Sequence, residues 1–320
     1  MVRRLALALI LAALLAGGCG FWFFGPFAQP RAASAADAPE PAYTIKDPDL
    51  FVYVPANASR RGPLQILVTM HGMGDNGPNF CQNILATAER NGWIVVAPTF
   101  KYQDYKNSDL VAQDDTTFLP RLLTMIDSVP ARTGLPTRGK VLLYGFSRGG
   151  QAVHRFATLY PARTAGVAAV AAGSYTLPLQ TMLVNGRAQT LPLPYGVANL
   201  RARLGFDFDY AAFKAIPFRI AVGGNDTNPA DTPRAWDPYL GVTRPERAQN
   251  YTKALQNIGV DAKLAVYPGV GHQVTQQMLD ENLAFLKGIN ERNAIRFGFA
   301  PALGAISYGN AATVTARGSR

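Results

Sequence analysis

Residues 140–160 read KVLLYGFSRGGQAVHRFATLY. The apolar run at 141–144 predicts a buried strand, and the apolar periodicity after the serine predicts a helix. Between the two, Gly145 and Gly149 flank Ser147 in a G-x-S-x-G turn. Such a nucleophile elbow lifts a serine hydroxyl clear of a sheet, and its glycines let a strand and a helix pass closely. The stretch therefore predicts a nucleophilic serine at the end of a strand.

The composition limits the class of protein. The 320 residues are 48% hydrophobic and 16% charged, which is typical of a globular chain with a sizeable core. The formal net charge is +10, but no dense Lys/Arg run interleaved with aromatic residues occurs, so we expect no nucleic-acid partner. The three histidines and two cysteines are scattered, which predicts no metal site. We expect no cofactor.

The N-terminus has the pattern of a targeting segment. Arg3 and Arg4 form a positive n-region, and residues 5–16 form an apolar run of h-region length. We therefore expect the catalytic part to be exported, as a cell-envelope lipoprotein, as a membrane-anchored protein or as a secreted one.

The fate of this segment is open among three readings. Residues 16–19 (AGGC) resemble a bacterial lipobox, although Ala16 stands where that pattern prefers Leu, and this resemblance implies lipidation of Cys19. Residues 33–35 (ASA) offer a small-x-small cleavage site. Without cleavage, the uncharged residues 5–27 are long enough to span a bilayer.

The organisation that follows is predicted to be one α/β domain. We divide the chain into a signal peptide or anchor (1–18), an Ala- and Pro-rich linker (19–45), the domain (46–292) and a C-terminal tail (293–320). Apolar strands alternate with amphipathic helices, which predicts a mostly parallel central sheet with helices on both faces. Two stretches interrupt this alternation: a polar loop at 99–115 and a long excursion at 174–214 without clear periodicity. A helix is predicted at 118–129, after the loop, with its stop at Pro130.

Reactive side chains follow three of the predicted strands. Ser147 follows one, Asp226 follows the strand at 218–222 in the sequence GGND, and His272 follows the last strand in PGVGH. Active sites in parallel sheets lie at the carboxyl ends of strands. His272 is the candidate base because its glycine-bounded loop can approach the serine, and Asp231 is a rival to Asp226. His154, two helical turns beyond Ser147, is expected to be structural, and Cys81 to be buried.

The order Ser, Asp, His, together with HGMGDNG at 71–77 and GFSRGG at 145–150, resembles the α/β-hydrolase superfamily. Within it, these motifs are similar to the carboxylesterase, esterase D and polyhydroxybutyrate-depolymerase-like group. The resemblance covers about residues 46–290. It implies a serine hydrolase that acts on a small-molecule or polymeric ester through an acyl-enzyme. A peptidase, a thioesterase and a non-catalytic binding protein on the same fold are the alternatives.

The resemblance also implies an oxyanion hole. One backbone N–H is expected from Arg148, directly after the serine, and the other from Met73, in a loop positioned by His71 and Gly72. The side chain of Arg148 has two readings from the sequence. It could reach an acidic acyl group, or it could form a salt bridge near the mouth of the site.

Overall fold

The computed structural model describes residues 43–58 and 62–296. Within these ranges, eight strands form one sheet: β1 (Tyr43–Asp47), β2 (Leu50–Val54), β3 (Ile66–Met70), β4 (Ile94–Pro98), β5 (Val141–Phe146), β6 (Thr164–Val170), β9 (Phe218–Gly223) and β10 (Ala262–Tyr267). Their order is β1-β2-β4-β3-β5-β6-β9-β10. Only the pairings of β2, with β1 and β4, are antiparallel, and the others are parallel. The prediction of a mostly parallel sheet is confirmed.

In the described part of the chain, eight α-helices accompany the sheet: α1 (Gly77–Asn91), α2 (Ser108–Thr133), α3 (Arg148–Leu159), α4 (Leu200–Leu204), α5 (Tyr210–Lys214), α6 (Asp237–Leu240), α7 (Arg244–Asn257) and α8 (Gln276–Arg296). On one face, α2, α3 and α7 pack into an apolar cluster, and on the other face α1 and α8 pack into a second. The alternation of β3 shows why, because Val68 faces the first cluster and Leu67 the second. Helices therefore cover both faces, as predicted.

The predicted polar loop at 99–115 is wrong over its second half. Helix α2 begins at Ser108, where the Asn107 side chain accepts hydrogen bonds from two backbone N–H groups of the first turn. The helix then runs through Pro120 and Pro130 to Thr133, so the predicted stop at Pro130 is wrong, and Gly134 caps it in a left-handed conformation. Its early part reads as a loop because two of its acidic side chains are buried in ion pairs, described below, and not exposed.

The excursion at 174–214 contains regular structure that the sequence pattern does not predict. It forms a separate antiparallel hairpin of β7 (Thr181–Val184) and β8 (Arg187–Thr190), followed by the short helices α4 and α5. The hairpin is largely exposed, whereas Leu191, Leu200 and Phe213 are buried in the core. The excursion is thus partly a surface hairpin and partly a component of the core.

The described elements extend beyond the domain bounds taken from the sequence. Strand β1 includes residues 43–45 of the predicted linker, and α8 continues to Arg296 in the predicted tail. Cys19, the cleavage site at 33–35 and the apolar segment 5–27 lie outside the described residues. Among residues 43–58 and 62–296, no helix combines the length and the apolar character needed to cross a membrane.

Candidate active site

Ser147 occupies a strained backbone between β5 and α3. Its φ of 55° and ψ of −116° lie in a region that non-glycine residues rarely adopt. The conformation is held on both sides, because Ser147 N–H donates to Val170 O (2.8 Å) and Ser147 O accepts from Gln151 N–H (3.0 Å). A Cβ on Gly145 would overlap the Gly149 carbonyl, and one on Gly149 would overlap the Met70 carbonyl. The two glycines are therefore required by close packing of β5, α3 and β3.

Three side chains form a continuous hydrogen-bonded chain at the carboxyl edge of the sheet. Ser147 Oγ lies 3.0 Å from His272 Nε2, and His272 Nδ1 lies 2.7 Å from Asp226 Oδ2. A carboxylate only accepts, so Nδ1 carries the proton and donates it to Asp226. Nε2 is then left as the acceptor for the serine hydroxyl. The structure thus brings together the serine, histidine and aspartate that the sequence places after three separate strands.

The loops after β9 and β10 are joined by backbone contacts that fix Asp226 beside His272. Asn225 N–H donates to Val270 O, and Gly224 N–H donates to Tyr267 O, both at 2.8 Å. A Cβ on Gly223 would overlap the Val270 and Gly271 carbonyls. Only glycine therefore permits the two loops to approach this closely. The aspartate and the histidine are held by neighbouring parallel strands, and not by one mobile loop.

Asp226 is 4% exposed and accepts two hydrogen bonds from different directions. His272 binds Oδ2, while Arg244 Nη1 donates to Oδ1 at 2.8 Å. Burial works against ionisation of this carboxyl, but His272 and then Arg244 outweigh it, so the pKa of Asp226 lies below its usual range. The rival Asp231 is placed elsewhere. Its carboxylate accepts from Asn228 (2.9 Å), and only its backbone carbonyl approaches this group, accepting from Arg244 (2.7 Å).

The histidine ring has one further neighbour that the sequence analysis did not identify. The rings of Phe146 and His272 have centroids 5.0 Å apart at an angle of 30°. Phe146 is the residue that directly precedes the serine, so the elbow itself supplies an apolar surface for the imidazole. His272 remains partly exposed, with 22% of its side-chain surface accessible.

The loop after β3 runs directly beside the serine. A Cβ on Gly72 would lie 3.4 Å from Ser147 Cβ. His71 is buried beneath this loop, where Nδ1–H donates to Gly72 O (2.7 Å) and Nε2 accepts from Phe100 N–H (3.0 Å). Burial lowers the pKa of His71, which matches a neutral ring that donates and accepts. Asp75 accepts from Asn76 N–H (2.8 Å) and so contributes to the shape of the loop.

The two backbone N–H groups expected to form an oxyanion hole belong to residues next to the serine or next to Gly72, which approaches it. Arg148 opens α3 directly after Ser147, and Met73 follows Gly72 in the adjacent loop. Within the described residues, neither N–H donates a hydrogen bond to another group of the chain. The N-terminus of α3 also contributes a partial positive charge at this position.

The side chain of Arg148 points into the protein and is 1% exposed. Its Nη2 donates to Asp115 Oδ1 at 3.0 Å and to Asp114 Oδ2 at 3.4 Å, and Tyr102 stacks on the guanidinium with its ring centroid 4.8 Å from Cζ. Of the two sequence-based readings, the salt bridge is the one present, but it is buried and does not lie on the surface. Arg155 adds a second cation, with Nη1 3.3 Å from Asp115 Oδ2.

These four charged side chains, Asp114, Asp115, Arg148 and Arg155, are called the elbow cluster below. All are at most 2% exposed, and their charges balance. Arg155 also donates to Thr176 Oγ1 (2.9 Å) and Ser174 Oγ (2.8 Å) at the start of the excursion. Burial lowers the pKa of Arg155 to about 10, so it remains a cation at neutral pH. The cluster therefore ties α2, α3 and the excursion together next to the serine.

The other candidate residues lie away from this site. His154 is fully buried, and it donates from Nδ1 to Gly150 O (3.0 Å) and accepts from Thr176 N–H (3.0 Å). Burial holds the pKa of His154 well below its usual value, so the ring stays neutral. Cys81 is buried in α1, and burial raises the pKa of its thiol to about 12. Within the described ranges, no three His, Cys, Asp or Glu side chains are grouped to hold a metal ion.

Comparison with known proteins adds structural but not sequence relatives. No protein-family model and no curated protein matches the chain. Poly(aspartic acid) hydrolase-1 from Sphingomonas sp. KT-1 is similar in structure, with 23% identity, a TM-score of 0.53, and coverage of 78% of this chain and 95% of that one. Two further structures are more distant. Esterase PE8 has 19% identity and a TM-score of 0.49, with coverage of 74% of this chain and 99% of that one. TT1662 from Thermus thermophilus has 18% identity and a TM-score of 0.49, with coverage of 78% of this chain and 98% of that one. Taken with the strand order, the first of these structures shows that the chain has the α/β-hydrolase fold.

Proposed function

We propose that this protein is a serine hydrolase that cleaves carboxylic esters through an acyl-enzyme intermediate. The observation that carries the proposal is the unbroken path from Ser147 Oγ through His272 to Asp226, at 3.0 and 2.7 Å. A hydroxyl is too weakly acidic to attack a carbonyl unaided, and this path supplies a base with its own orienting acid.

The steps follow from the positions of the protons. His272 Nε2 takes the hydroxyl proton as Ser147 Oγ bonds to the ester carbonyl carbon, and Asp226 stabilises the imidazolium that forms. The imidazolium then returns the proton to the departing alcohol, which leaves an ester on Ser147. Water attacks this ester with His272 again as the base, and the acid is released with Ser147 restored.

The negative charge on the substrate oxygen needs donors that are already in place. We assign this role to the backbone N–H groups of Met73 and Arg148. The support is that Arg148 directly follows Ser147, that Met73 directly follows Gly72, which approaches Ser147, and that neither N–H donates elsewhere in the described part of the chain. Burial of the Arg148 side chain in the elbow cluster fixes the residue whose N–H is used. A donor that does not reorganise during the reaction is the kind that lowers the barrier most.

The experiment that tests the proposal is hydrolysis of p-nitrophenyl acetate by the wild type and by Ser147→Ala. We expect the substitution to reduce kcat about 10⁵- to 10⁶-fold, as for removal of a triad nucleophile. Ser128→Ala is the matched control, because the Ser128 hydroxyl only donates to Met125 O within α2. If the wild type has no turnover and no reactive serine, the non-catalytic binding alternative is favoured instead.

The substrate class is the finer part of the proposal. One structural neighbour is a poly(aspartic acid) hydrolase, so we include poly(aspartic acid) beside esters among the candidate substrates. We propose esters, small or polymeric, as the main class. A panel of p-nitrophenyl esters of increasing chain length, a thioester, a peptide anilide and poly(aspartic acid) separates the esterase from the thioesterase and peptidase alternatives by their kcat/KM values.

We further propose that the protein is exported and attached to the cell envelope through its N-terminus. The support is the arginine pair and the apolar run of residues 3–16 followed by the AGGC sequence. Metabolic labelling with a fatty acid tests attachment at Cys19. Label that disappears in Cys19→Ala supports lipidation, and absence of label in the wild type favours cleavage after Ala35 or an uncleaved anchor.

A further inference from the structure

Arg244 makes a contact that a serine, histidine and aspartate alone do not require. Its side chain is 5% exposed, and Nη1 donates to Asp226 Oδ1 at 2.8 Å. Nη2 donates to the Asp231 carbonyl at 2.7 Å, while the buried Nε has no acceptor in the described part of the chain. The planar guanidinium group of Arg244 therefore bridges the Asp226 carboxylate and the loop that follows Asp226.

The position of Arg244 is unfavourable for the helix that carries it. Arg244 is the first residue of α7, and it lies between the two residues of the helix's capping box, Thr243 and Glu246. A cation in the first turn is repelled by the partial positive charge of a helix N-terminus, and burial removes its hydration. The contact with Asp226 offsets both costs. The local sequence of α7 gives no reason for a buried cation at this place.

The other charged side chains near Arg244 form ion pairs that do not include Asp226. Arg247 and Arg234 both pair with Asp237, at 2.6 and 2.5 Å. Arg247 Nη1 also donates to Gly173 O at 2.6 Å. The groups that act on the carboxylate are His272 from the loop after β10, Arg244 from α7 and, without a hydrogen bond, Tyr175 from the segment after β6. Among the described residues, Arg244 is the one permanent cation in contact with Asp226.

We propose that Arg244 is a positioning residue that shares the Asp226 carboxylate with His272 and limits how strongly Asp226 stabilises the imidazolium that forms when His272 takes the serine proton. This inference rests on the proposed function, because it treats His272 as the base of that reaction.

Two physical effects follow from sharing the carboxylate. Arg244 occupies Oδ1, so the carboxylate cannot rotate and Oδ2 stays directed at Nδ1 of His272. Its fixed charge also partly neutralises Asp226, which weakens the attraction that Asp226 exerts on a protonated imidazole. An imidazolium at His272 is therefore stabilised less by this shared carboxylate than it would be by an unshared one.

The pH dependence of kcat/KM for p-nitrophenyl acetate tests the charge effect. In Arg244→Gln the acidic limb is expected to move upward by about 0.5–1 pH unit, because Asp226 then attracts the imidazolium without competition. Arg244→Lys keeps the charge, so the acidic limb of its profile should stay within about 0.2 pH unit of the wild-type limb. Its kcat should fall, because one ammonium group cannot bridge Asp226 and the Asp231 carbonyl. A limb that stays in place, or moves downward, in Arg244→Gln overturns the proposal.

A measurement that does not depend on turnover separates this inference from the proposed function. The chain has three histidines, so ring resonances of the labelled protein can be assigned to His272 with a His272→Gln variant. The midpoint of the His272 ring titration should rise in Arg244→Gln and stay in Arg244→Lys, even if no ester is hydrolysed. An unchanged midpoint in folded Arg244→Gln contradicts the inference. If that variant does not fold, an upward move in Arg244→Lys, which retains the charge, contradicts it.

Discussion

Two groups of buried charge lie on either side of Ser147, and they differ in what their charges touch. The elbow cluster holds two carboxylates and two guanidinium groups, all at most 2% exposed, and it contacts α2, α3 and the excursion. The second group, here called the acid–base cluster, consists of Asp226, Arg244 and His272, and it reaches Ser147 Oγ through the imidazole.

The difference shows that buried charge stabilises the structure in the elbow cluster and takes part in the proposed chemistry in the acid–base cluster. The charges of the elbow cluster are balanced and do not change during the reaction. The cluster therefore serves to fix the backbone that presents Ser147 and the N–H group of Arg148. The acid–base cluster is balanced only while His272 is neutral, and it gains one positive charge each time the serine proton is transferred. The ionised Asp226 stabilises the positive charge that His272 then carries, and Arg244 limits that stabilisation.

One histidine, His272, belongs to the acid–base cluster, and another, His154, lies beside the elbow cluster; this pair offers the largest contrast. His272→Ala should lower kcat/KM by about 10⁵- to 10⁶-fold with a small change in stability, because the base is lost. His154→Gln should keep kcat/KM within about tenfold but lower the free energy of unfolding by about 1–3 kcal/mol, because two buried hydrogen bonds are disturbed. Kinetics and urea unfolding of both variants test this contrast, and a large activity loss in folded His154→Gln breaks it.

The two aspartates after β9 test the acid–base cluster itself. Asp226→Asn should reduce kcat about 10⁴-fold, because an amide favours the wrong imidazole tautomer. Asp231→Asn should leave kcat within a few-fold, since its contribution to Arg244 comes from the backbone carbonyl. Both side chains keep their size in these substitutions. Steady-state kinetics with p-nitrophenyl acetate measure both variants. A larger loss of kcat in Asp231→Asn than in Asp226→Asn would show that Asp231 is the acid that orients His272.

Removal of one carboxylate from the elbow cluster should affect stability more than chemistry. Asp115→Asn leaves Arg148 and Arg155 buried with a single acid, which costs about 3–5 kcal/mol of unfolding free energy. The acidic limb of the pH–rate profile should not move, in contrast to Arg244→Gln. Thermal unfolding and a pH series on the same preparation measure both quantities. A displaced limb without a stability loss would show that the elbow cluster tunes the chemistry.

The smallest expected effect is the contribution of Asp226 to acid stability. Its pKa is depressed in the folded state, so its stabilising contribution is complete above the unfolded pKa of about 4 and is lost as pH falls through the lower folded value. The difference in unfolding free energy between the wild type and Asp226→Asn should therefore shrink between pH 6 and pH 2. A difference that is constant over this range contradicts an ionised, paired Asp226.

Much of this arrangement is predictable from the sequence because it rests on local patterns. The elbow glycines, the strand ends and the order of Ser147, Asp226 and His272 are readable from periodicity and turn chemistry, and the structure brings these side chains together. The α/β class follows from the same alternation and is confirmed by the sheet.

The residues that sequence reasoning missed depend on contacts between distant segments. Arg244 meets Asp226 across 18 positions and Arg148 meets Asp115 across 33, and no local pattern marks a charged residue that will be buried. The same cause explains the wrong loop at 99–115, since Asp114 and Asp115 read as solvent-exposed until their partners are known. Asn107 was the available signal, because an Asn in front of Ser108 and Asp109 is a common helix start.

The most direct test of the central claim is to find which atom carries a covalent adduct after exposure to a fluorophosphonate. We expect one adduct per chain, located by peptide mapping at Ser147, forming faster as pH rises through the acidic limb and absent in Ser147→Ala. His272→Ala should label far more slowly while remaining folded. An unmodified wild type, or an adduct on any residue other than Ser147, would contradict a nucleophilic serine activated by His272 and Asp226.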